Sequence, residues 1–263
     1  MRLGISISLT GQSGGFSPAS LFSAGQQGAW YDPSDINTLF QDSAGTTPVT
    51  AAGQPVGRIL DKSGRGNHAT QTTAGSRPLY QIYGTNRPYL SFDGVDDFLV
   101  TPTITPGTDK SQVFVGLRKL SDAATGIVVE TSNNFSSFSG AVAIQAPNGT
   151  LARYSFTSRG TAIATAPTAN VYAAPITNVL TGIGDIAADT SIIRVNGVQA
   201  ASSTTDQGTG DYLAYPMYIG RRAGTLLPFN GYLYGLIVRF GASLDANTIS
   251  TTETWMNGKT GAY

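Results

Sequence analysis

Short alternations of apolar and polar residues, each broken by a turn residue, are the feature that most constrains how this chain folds. Residues 89–92 alternate in this way and stop at the turn dipeptide Asp93-Gly94. Residues 192–195 and 198–200 flank Asn196-Gly197, which supplies the two left-handed residues of a type I′ hairpin turn. Side chains of a strand point alternately to its two faces, so each stretch offers one face to a core. The pattern predicts an all-β chain folded as a two-sheet antiparallel sandwich.

One strand near the end of the chain is apolar on both faces. One face carries Tyr232, Tyr234, Leu236, Val238 and Phe240, and the other carries Leu233, Gly235, Ile237 and Arg239. A strand that is apolar on both faces is typical of a central position with cover on both sides.

A single helix is predicted after this strand. Asp245 is placed to cap its first turn, and Leu244 and Ile249 are placed to form a hydrophobic staple. Gly258 is expected to end the helix in the left-handed conformation. One short C-terminal helix after many strands fits a capped sandwich and does not fit a βαβ fold.

Residues 1–28 are predicted to be an extended N-terminal arm, and residues 29–263 are predicted to form the sandwich. The arm has a short alternation, a glycine-rich breaker at 11–15, and then isolated apolar residues among small polar ones. Such a segment has no core of its own, so it is either a disordered leader or is buried against the sandwich or a neighbouring subunit. The candidate partner-binding residues of the arm are Ile5, Ile7, Leu9, Phe16, Leu21 and Phe22.

The composition argues against several classes of function. Only 12% of the 263 residues are charged and the formal net charge is zero, so the attraction that nucleic-acid binding needs is missing. Cysteine is absent, which removes disulfides and thiolate chemistry. No apolar run is long enough for a signal peptide or a membrane span, so membrane insertion is not expected. The excess of arginine over lysine and the low self-repulsion favour association, and we expect a homo-oligomer.

Six segments form an ordered series between residues 29 and 260. They are 29–35 (AWYDPSD), 60–69 (LDKSGRGNHA), 87–98 (RPYLSFDGVDDF), 194–198 (RVNGV), 217–221 (MYIGR) and 229–234 (FNGYLY). As a series they resemble laminin-G-like or concanavalin A-like jelly-roll domains of bacteriophage and prophage virion proteins. The region 16–48, with WYDPSD at 30–35 and the stretch 40–50, especially resembles phage structural proteins. The resemblance implies a jelly-roll module that holds glycans or other proteins, located on a virion made in the bacterial host cytoplasm. Such a fold serves many functions, so it does not fix this one.

The inventory of reactive side chains argues against an enzyme. Some jelly-roll relatives are glycosidases, whose chemistry needs two carboxylates across a cleft. The chain has only two glutamates, Glu130 next to a strand and Glu253 in the predicted helix, which do not form a strand-borne pair. His68 is the only histidine, and no serine lies in a Gly-x-Ser-x-Gly elbow. We therefore expect no catalytic residues and no cofactor.

Calcium is the one metal ion that the sequence does not argue against. The resemblance implies that a rim loop can bind it, and Asp93, Asp96 and Asp97 have suitable oxygen ligands and spacing. Asp61 and Asp185 are further candidates, without a complete ligand pattern at either. Asp-Gly turn chemistry also explains the first three aspartates.

Two hypotheses for function follow. The first is a non-enzymatic virion structural subunit on the head, neck or tail, anchored to other virion proteins by its arm. The alternative is a carbohydrate-binding adhesion module that attaches to host surface glycans. Aromatic faces and guanidiniums hold sugars, so clustered tyrosines and arginines are candidates for this role. The other interpretation is that alternate tyrosines of the cluster fill the core. The candidates are Tyr212, Tyr215, Tyr218, Arg221 and Arg222.

Overall fold

The computed structural model describes residues 15–84 and 86–263. The strands of this part are β1 (Gln27–Tyr31), β2 (Leu39–Phe40), β3 (Arg58–Ile59), β4 (Ala69–Thr70), β5 (Leu79–Tyr83), β6 (Arg87–Asp93), β7 (Leu99–Ile104), β8 (Lys110–Lys119), β9 (Ile127–Thr131), β10 (Ala141–Asn148), β11 (Arg153–Arg159), β12 (Ile163–Pro167), β13 (Ile176–Asp185), β14 (Thr190–Val195), β15 (Val198–Ser203), β16 (Tyr215–Ile219) and β17 (Asn230–Phe240). The α-helix α1 spans Ala246–Thr260, and 3₁₀-helices span Pro18–Phe22, Ile36–Thr38, Ala74–Ser76 and Gly149–Leu151. No helix in this part of the chain is long and apolar enough to cross a membrane.

Two antiparallel sheets stack to form a sandwich. The eight-stranded sheet has the order β15-β14-β13-β8-β17-β6-β5, and β1 pairs with the C-terminal half of β17. The nine-stranded sheet has the order β12-β11-β10-β9-β16-β7-β4-β3-β2. The predicted all-β, two-sheet antiparallel jelly-roll sandwich with one short C-terminal helix is confirmed.

The core lies between the two sheets. Leu117, Leu180 and Leu236 enter it from the eight-stranded sheet, and Val142 and Ile144 enter it from the nine-stranded sheet. Each is fully buried, and burying such a side chain contributes about 1.5–3 kcal/mol. This core joins the inner faces of the two sheets, so that their outer faces can contact the helix, the loops or a ligand.

A β-bulge in β17 makes the two faces of this strand differ from the predicted ones. The pairing of β17 with β8 shifts register between Leu233 and Gly235. One extra residue at a bulge reverses the alternation beyond it. Leu233 and Leu236 therefore both face the core, whereas Ile237 belongs to a second apolar cluster on the outer side of the sheet. The predicted central position of this strand, covered on both sides, is confirmed.

The helix α1 covers part of the outer side of the eight-stranded sheet. Asp245 caps it as predicted, because its side chain accepts a hydrogen bond from the Thr248 N–H at 2.8 Å. The helix ends at Gly261, with φ 60°, and not at Gly258, which lies inside it. Residues up to Thr260 stay helical because Met256 and Thr260 are buried against the sheet.

Residues 15–28, the described part of the predicted arm, pack on the sandwich of their own chain. Leu21 and Phe22 are 4% and 1% exposed and share the outer apolar cluster with Trp30 and Met256. Phe16 is partly buried against the same cluster. The side chains of Leu21 and Phe22 are therefore buried within their own chain, and their predicted role in binding a partner stays a prediction. Ile5, Ile7 and Leu9 lie outside the described residues.

Candidate functional site

A row of five side chains crosses the outer side of the nine-stranded sheet, on strands β3, β4, β7, β16 and β9. Cα pairing joins its members in the order Arg58, Thr70, Val100, Tyr218 and Glu130. Directly paired residues point to the same side of a sheet. We call these five side chains the outer row.

The outer row faces away from the core. The sequence neighbours of its members, among them Ile59, Ala69, Leu99 and Ile219, belong to the core between the sheets. Because successive side chains of a strand point to opposite faces, the row residues point outward.

A cavity of about 530 Å³ opens beside the outer row. It is lined by Arg58, Gly66, His68, Thr70, Val100, Thr101 and Pro102. These residues combine a guanidinium, an imidazole, hydroxyl groups and aliphatic carbon. An apolar surface with a few convergent polar groups is typical of small-ligand sites.

The loop that carries His68 is organised by a buried carboxylate. Asp61 Oδ1 accepts from the Trp30 and Ser63 N–H groups at 2.9 and 2.8 Å. Asp61 Oδ2 accepts from the Ser63 hydroxyl at 2.8 Å and from the Asn67 N–H at 3.0 Å. The Asp–x–Ser spacing lets one carboxylate close this turn, and the turn brings His68 back to the sheet.

His68 is a neutral hydrogen-bond donor in this arrangement. Its Nδ1 accepts from the Asp61 N–H at 2.9 Å, so the proton of the neutral ring lies on Nε2. Burial lowers the pKa of His68, and the positive charge of Arg58 lowers it further, against an opposing effect of Asp61.

A buried ion pair closes the other end of the outer row. Glu130 is fully buried and accepts from Arg222 Nε at 2.9 Å and from the Phe135 N–H. Burial raises the pKa of Glu130, and Arg222 opposes this effect. The Arg222 guanidinium lies 4.5 Å from the centroid of the Phe135 ring. The pair thus holds the loop after β9 against the sheet, where Asn133 Oδ1 accepts from the Tyr218 hydroxyl at 2.9 Å.

The structure separates the sugar-binding residues that the sequence grouped. Tyr212 is 2% exposed, and its hydroxyl lies 2.6 Å from Ser158 Oγ in the core. Tyr215 is partly buried and donates to the Ser139 carbonyl at 3.0 Å. Arg221 donates to the Thr225 carbonyl at 2.9 Å.

Among the grouped residues, the structure therefore brings only Tyr218 and Arg222 together, through Glu130. The Arg222 side chain is 11% exposed and is engaged by its ion pair. Tyr218 is the residue of that group with an accessible ring on the outer row.

Sequence reasoning missed the role of Arg58, Thr70 and Val100. Strands β3 and β4 have two residues each, which is too short for an alternation to be recognised. The only signal was His68 in the 60–69 segment, which gave no indication of the sheet it reaches.

The three aspartates considered for calcium form a turn. Their carboxylate oxygens lie within 4.8 Å of one another. Asp93 Oδ1 accepts from the Val95 and Asp96 N–H groups at 2.8 and 3.2 Å, and Asp97 Oδ2 accepts from the Asp93 N–H at 3.1 Å. Burial, followed by the charge of Asp93, raises the pKa of Asp97 to about 6. Of the other two candidates, Asp61 closes its own turn and Asp185 pairs with Lys110 at 3.0 Å.

No protein-family model and no curated protein sequence matches the chain. Solved structures do match. The receptor-binding domain of botulinum neurotoxin D matches with a TM-score of 0.57 and 9% sequence identity, over 75% of this chain and 50% of that one. Domain 4 of a GH43 extracellular arabinanase from Geobacillus stearothermophilus, in complex with arabinotriose, matches with a TM-score of 0.58 and 14% identity, over 86% of this chain and 97% of that one.

A structure of botulinum neurotoxin type C, whose cell entry depends on two ganglioside molecules, matches with a TM-score of 0.59 and 11% identity, over 91% of this chain and 53% of that one. The chain spans about half the length of these neurotoxin structures. At such low identities the likeness establishes the fold alone. The chain therefore has the concanavalin-like antiparallel sandwich fold of these domains.

Proposed function

We propose that this chain is a carbohydrate-binding module without catalytic activity, and that it holds a glycan on the outer row and in the cavity beside it. The observation that carries the proposal is the alignment of Arg58, Thr70, Val100 and Tyr218 across four neighbouring strands. Residues on paired strands form a rigid surface, and ligand groups on such a surface are positioned precisely enough for specificity.

The chemistry of the row fits a sugar. The Tyr218 ring and the Val100 methyl groups offer an apolar surface to the C–H face of a pyranose or furanose ring. Arg58, Thr70 and the Nε2–H of His68 offer hydrogen bonds to hydroxyl and ring oxygens. Arg58 takes part in no ion pair within residues 15–84 and 86–263, so its guanidinium is not neutralised by a carboxylate of this chain.

The structural neighbours support a binding role over a virion role. The arabinanase domain is in complex with arabinotriose, and cell entry of the type C neurotoxin depends on gangliosides. The hypothesis of a virion subunit, with its virion partners, its location and its homo-oligomer, stays a prediction.

A glycan array followed by calorimetry tests the proposal. We expect the purified chain to bind at least one neutral oligosaccharide, and Tyr218→Ala to weaken that binding by about tenfold or more. Tyr218→Phe keeps the ring and loses only the bond to Asn133, so it retains most of the affinity. An array without any bound glycan, or a Tyr218→Ala variant with unchanged affinity, contradicts the proposal.

The absence of catalysis is part of the same proposal. Glu130 is paired with Arg222, and Glu253 is paired with Arg194 at 2.7 Å on the helix that covers the other sheet. Glu130 thus lies on the nine-stranded sheet and Glu253 lies in the helix on the far side of the other sheet, which is not the arrangement of a glycosidase pair. We expect a bound oligosaccharide to be recovered intact after long incubation. Shortened products, detected by mass spectrometry and lost in the Glu130→Gln variant, would reverse this part.

A further inference from the structure

A second group of aromatic side chains lies on the outer side of the eight-stranded sheet, beyond the part that α1 covers. Pairing between β6, β17, β8 and β13 sets Ser91, Tyr232, Arg118 and Thr177 in one line. Their sequence neighbours Leu90, Leu233 and Leu117 enter the core, so this line points outward.

Four tyrosines pack together around this line. The rings of Tyr89 and Tyr232 are stacked, with centroids 4.0 Å apart and planes 27° apart. Tyr83 lies 6.5 Å from Tyr232, and Tyr234 lies 5.6 Å from Tyr89. We call Tyr83, Tyr89, Tyr232 and Tyr234 the tyrosine platform.

The platform has a buried base and an exposed top. Tyr89 and Tyr234 are 7% and 1% exposed, and burial raises the pKa of Tyr234 to about 12. Tyr83 is 42% exposed and Tyr232 is partly exposed, so these two rings present their surfaces to solvent. Aromatic rings fixed by buried neighbours lose little entropy when a ligand stacks on them.

Two guanidiniums accompany the platform without a carboxylate partner. The Arg118 guanidinium lies 5.1 Å from the centroid of the Tyr83 ring and donates to Thr177 Oγ1 at 3.3 Å. Arg87 and Tyr83 line a cavity of about 370 Å³ together with Gly84 and Asn86. Residues 1–14 and Thr85 contain no acidic residue, and the ion pairs of the described residues include neither Arg87 nor Arg118. No carboxylate of this chain therefore neutralises them.

We propose that the tyrosine platform is a second binding site, separate from the outer row, and that it takes an acidic glycan. The sugar ring stacks on Tyr83 and Tyr232, and its carboxylate or sulfate group pairs with Arg118 and Arg87. The guanidinium fork suits a planar or tetrahedral oxyanion, which a neutral sugar lacks. Because the two sites lie on different sheets, this inference holds whether or not the outer row binds a sugar.

Calorimetry with matched oligosaccharides tests the inference. The probes are an oligogalacturonate, a sulfated heparin hexasaccharide and a neutral galacto-oligosaccharide of similar length. We expect at least one acidic probe to bind roughly tenfold or more tighter than the neutral probe, and the acidic probe that binds identifies the anion. Its affinity is expected to fall as NaCl rises from about 0.05 to 0.5 M, because salt screens the ion pair.

Variants locate the site. Arg118→Gln and Tyr83→Ala are each expected to lower the affinity for the acidic probe by about tenfold, whereas Tyr218→Ala leaves it unchanged. Arg118→Lys keeps the positive charge but loses the planar guanidinium. Its affinity for the acidic probe is expected to lie between that of the wild type and that of Arg118→Gln. Tyr83→Ala keeps the test decisive if Arg118→Gln does not fold, since Tyr83 is exposed at a sheet edge. The inference is overturned if no acidic probe binds the wild-type chain, or if Tyr218→Ala and not Arg118→Gln abolishes binding.

Discussion

At the scale of single residues, the buried carboxylate of Asp61 organises the loop that carries His68 to the proposed binding surface. Asp61 is 8% exposed, and both of its carboxylate oxygens accept the hydrogen bonds that close the turn before His68. A carboxylate only accepts hydrogen bonds, and Asp61 accepts them from three N–H groups and one hydroxyl group. The position of His68 therefore depends on Asp61 remaining an acceptor on both oxygens.

We predict that Asp61→Asn destabilises the chain and weakens binding at the outer row. The amide NH₂ cannot accept the bonds from Ser63 and Asn67, and leaving them unmade costs about 1–3 kcal/mol. Urea unfolding measures the loss of stability, and calorimetry with the array glycan measures the loss of affinity. Asp245→Asn is a matched control, because both oxygens of Asp245 accept hydrogen bonds from Thr248 at the start of α1, on the side of the other sheet. If the Asp61→Asn variant bound the glycan with the same affinity as the wild type, the loop between Asp61 and His68 would not contribute to binding.

A second residue-scale prediction concerns Asp97 and pH. Its pKa is raised to about 6, above the ordinary value, so the folded chain holds this proton more tightly than the unfolded chain. The stabilisation from the neutral form is present at low pH and is lost as pH rises through about 6.

Asp97→Asn mimics the neutral form and keeps an oxygen for the Asp93 N–H. It is expected to raise the free energy of unfolding by about 1–2 kcal/mol near pH 7.5 and to change it little near pH 4.5. Urea denaturation at the two pH values measures this. Asp245→Asn is the control, because hydrogen bonds from Thr248 lower the pKa of Asp245 and do not raise it. The same effect of Asp97→Asn at both pH values would refute the assignment.

At the scale of elements, the sequence predicted the types of element well and their exact faces less well. The 196–197 hairpin follows from an Asn-Gly dipeptide, and its φ values of 51° and 78° fit a type I′ turn. The bulge in β17 has no such signature, since Leu233, Tyr234 and Gly235 read as an ordinary alternation. The end of α1 at Gly261 was missed because burial of Met256 and Thr260, a tertiary contact, carries the helix past Gly258.

Two glycines test how closely α1 lies on its sheet. A Cβ at Gly116 would lie 2.6 Å from Thr260 Cγ2 and 3.0 Å from Met256 Sδ, whereas one at Gly258 would meet nothing within 4 Å. Gly116→Ala is therefore expected to destabilise the chain by about 1–3 kcal/mol through overpacking. Gly258→Ala is expected to stabilise it by about 0.5–1 kcal/mol through helix propensity. Thermal unfolding of both variants measures these changes in stability. If Gly116→Ala left the stability unchanged, the helix would lie farther from the sheet than the structure shows.

At the scale of the whole molecule, the two outer faces of the sandwich carry the two proposed sites. Helix α1 and the 3₁₀-helix Pro18–Phe22 cover much of the eight-stranded sheet, through the apolar cluster that includes Trp30 and Phe114. The outer row lies on the opposite sheet, and the tyrosine platform lies beyond the covered part of the first. We therefore expect a chain that holds two chemically different sugars on opposite sides.

This division explains why the fold was predictable and the site was not. Alternation and turn dipeptides are local signals, and they determine a sandwich. The outer row joins Arg58, Val100 and Tyr218, which are far apart in sequence and meet only through strand order. Clustering along the sequence instead pointed to Tyr212, whose ring is buried in the core.

Amide chemical-shift mapping with a neutral glycan from the array tests the central claim most directly. A ¹⁵N-labelled chain is titrated to saturation, and the residues whose signals move are placed on the structure. The outer row predicts saturable shifts centred on Arg58, Thr70, Val100 and Tyr218, with His68 among them. Shifts confined to the eight-stranded sheet, or shifts that never saturate, would contradict it.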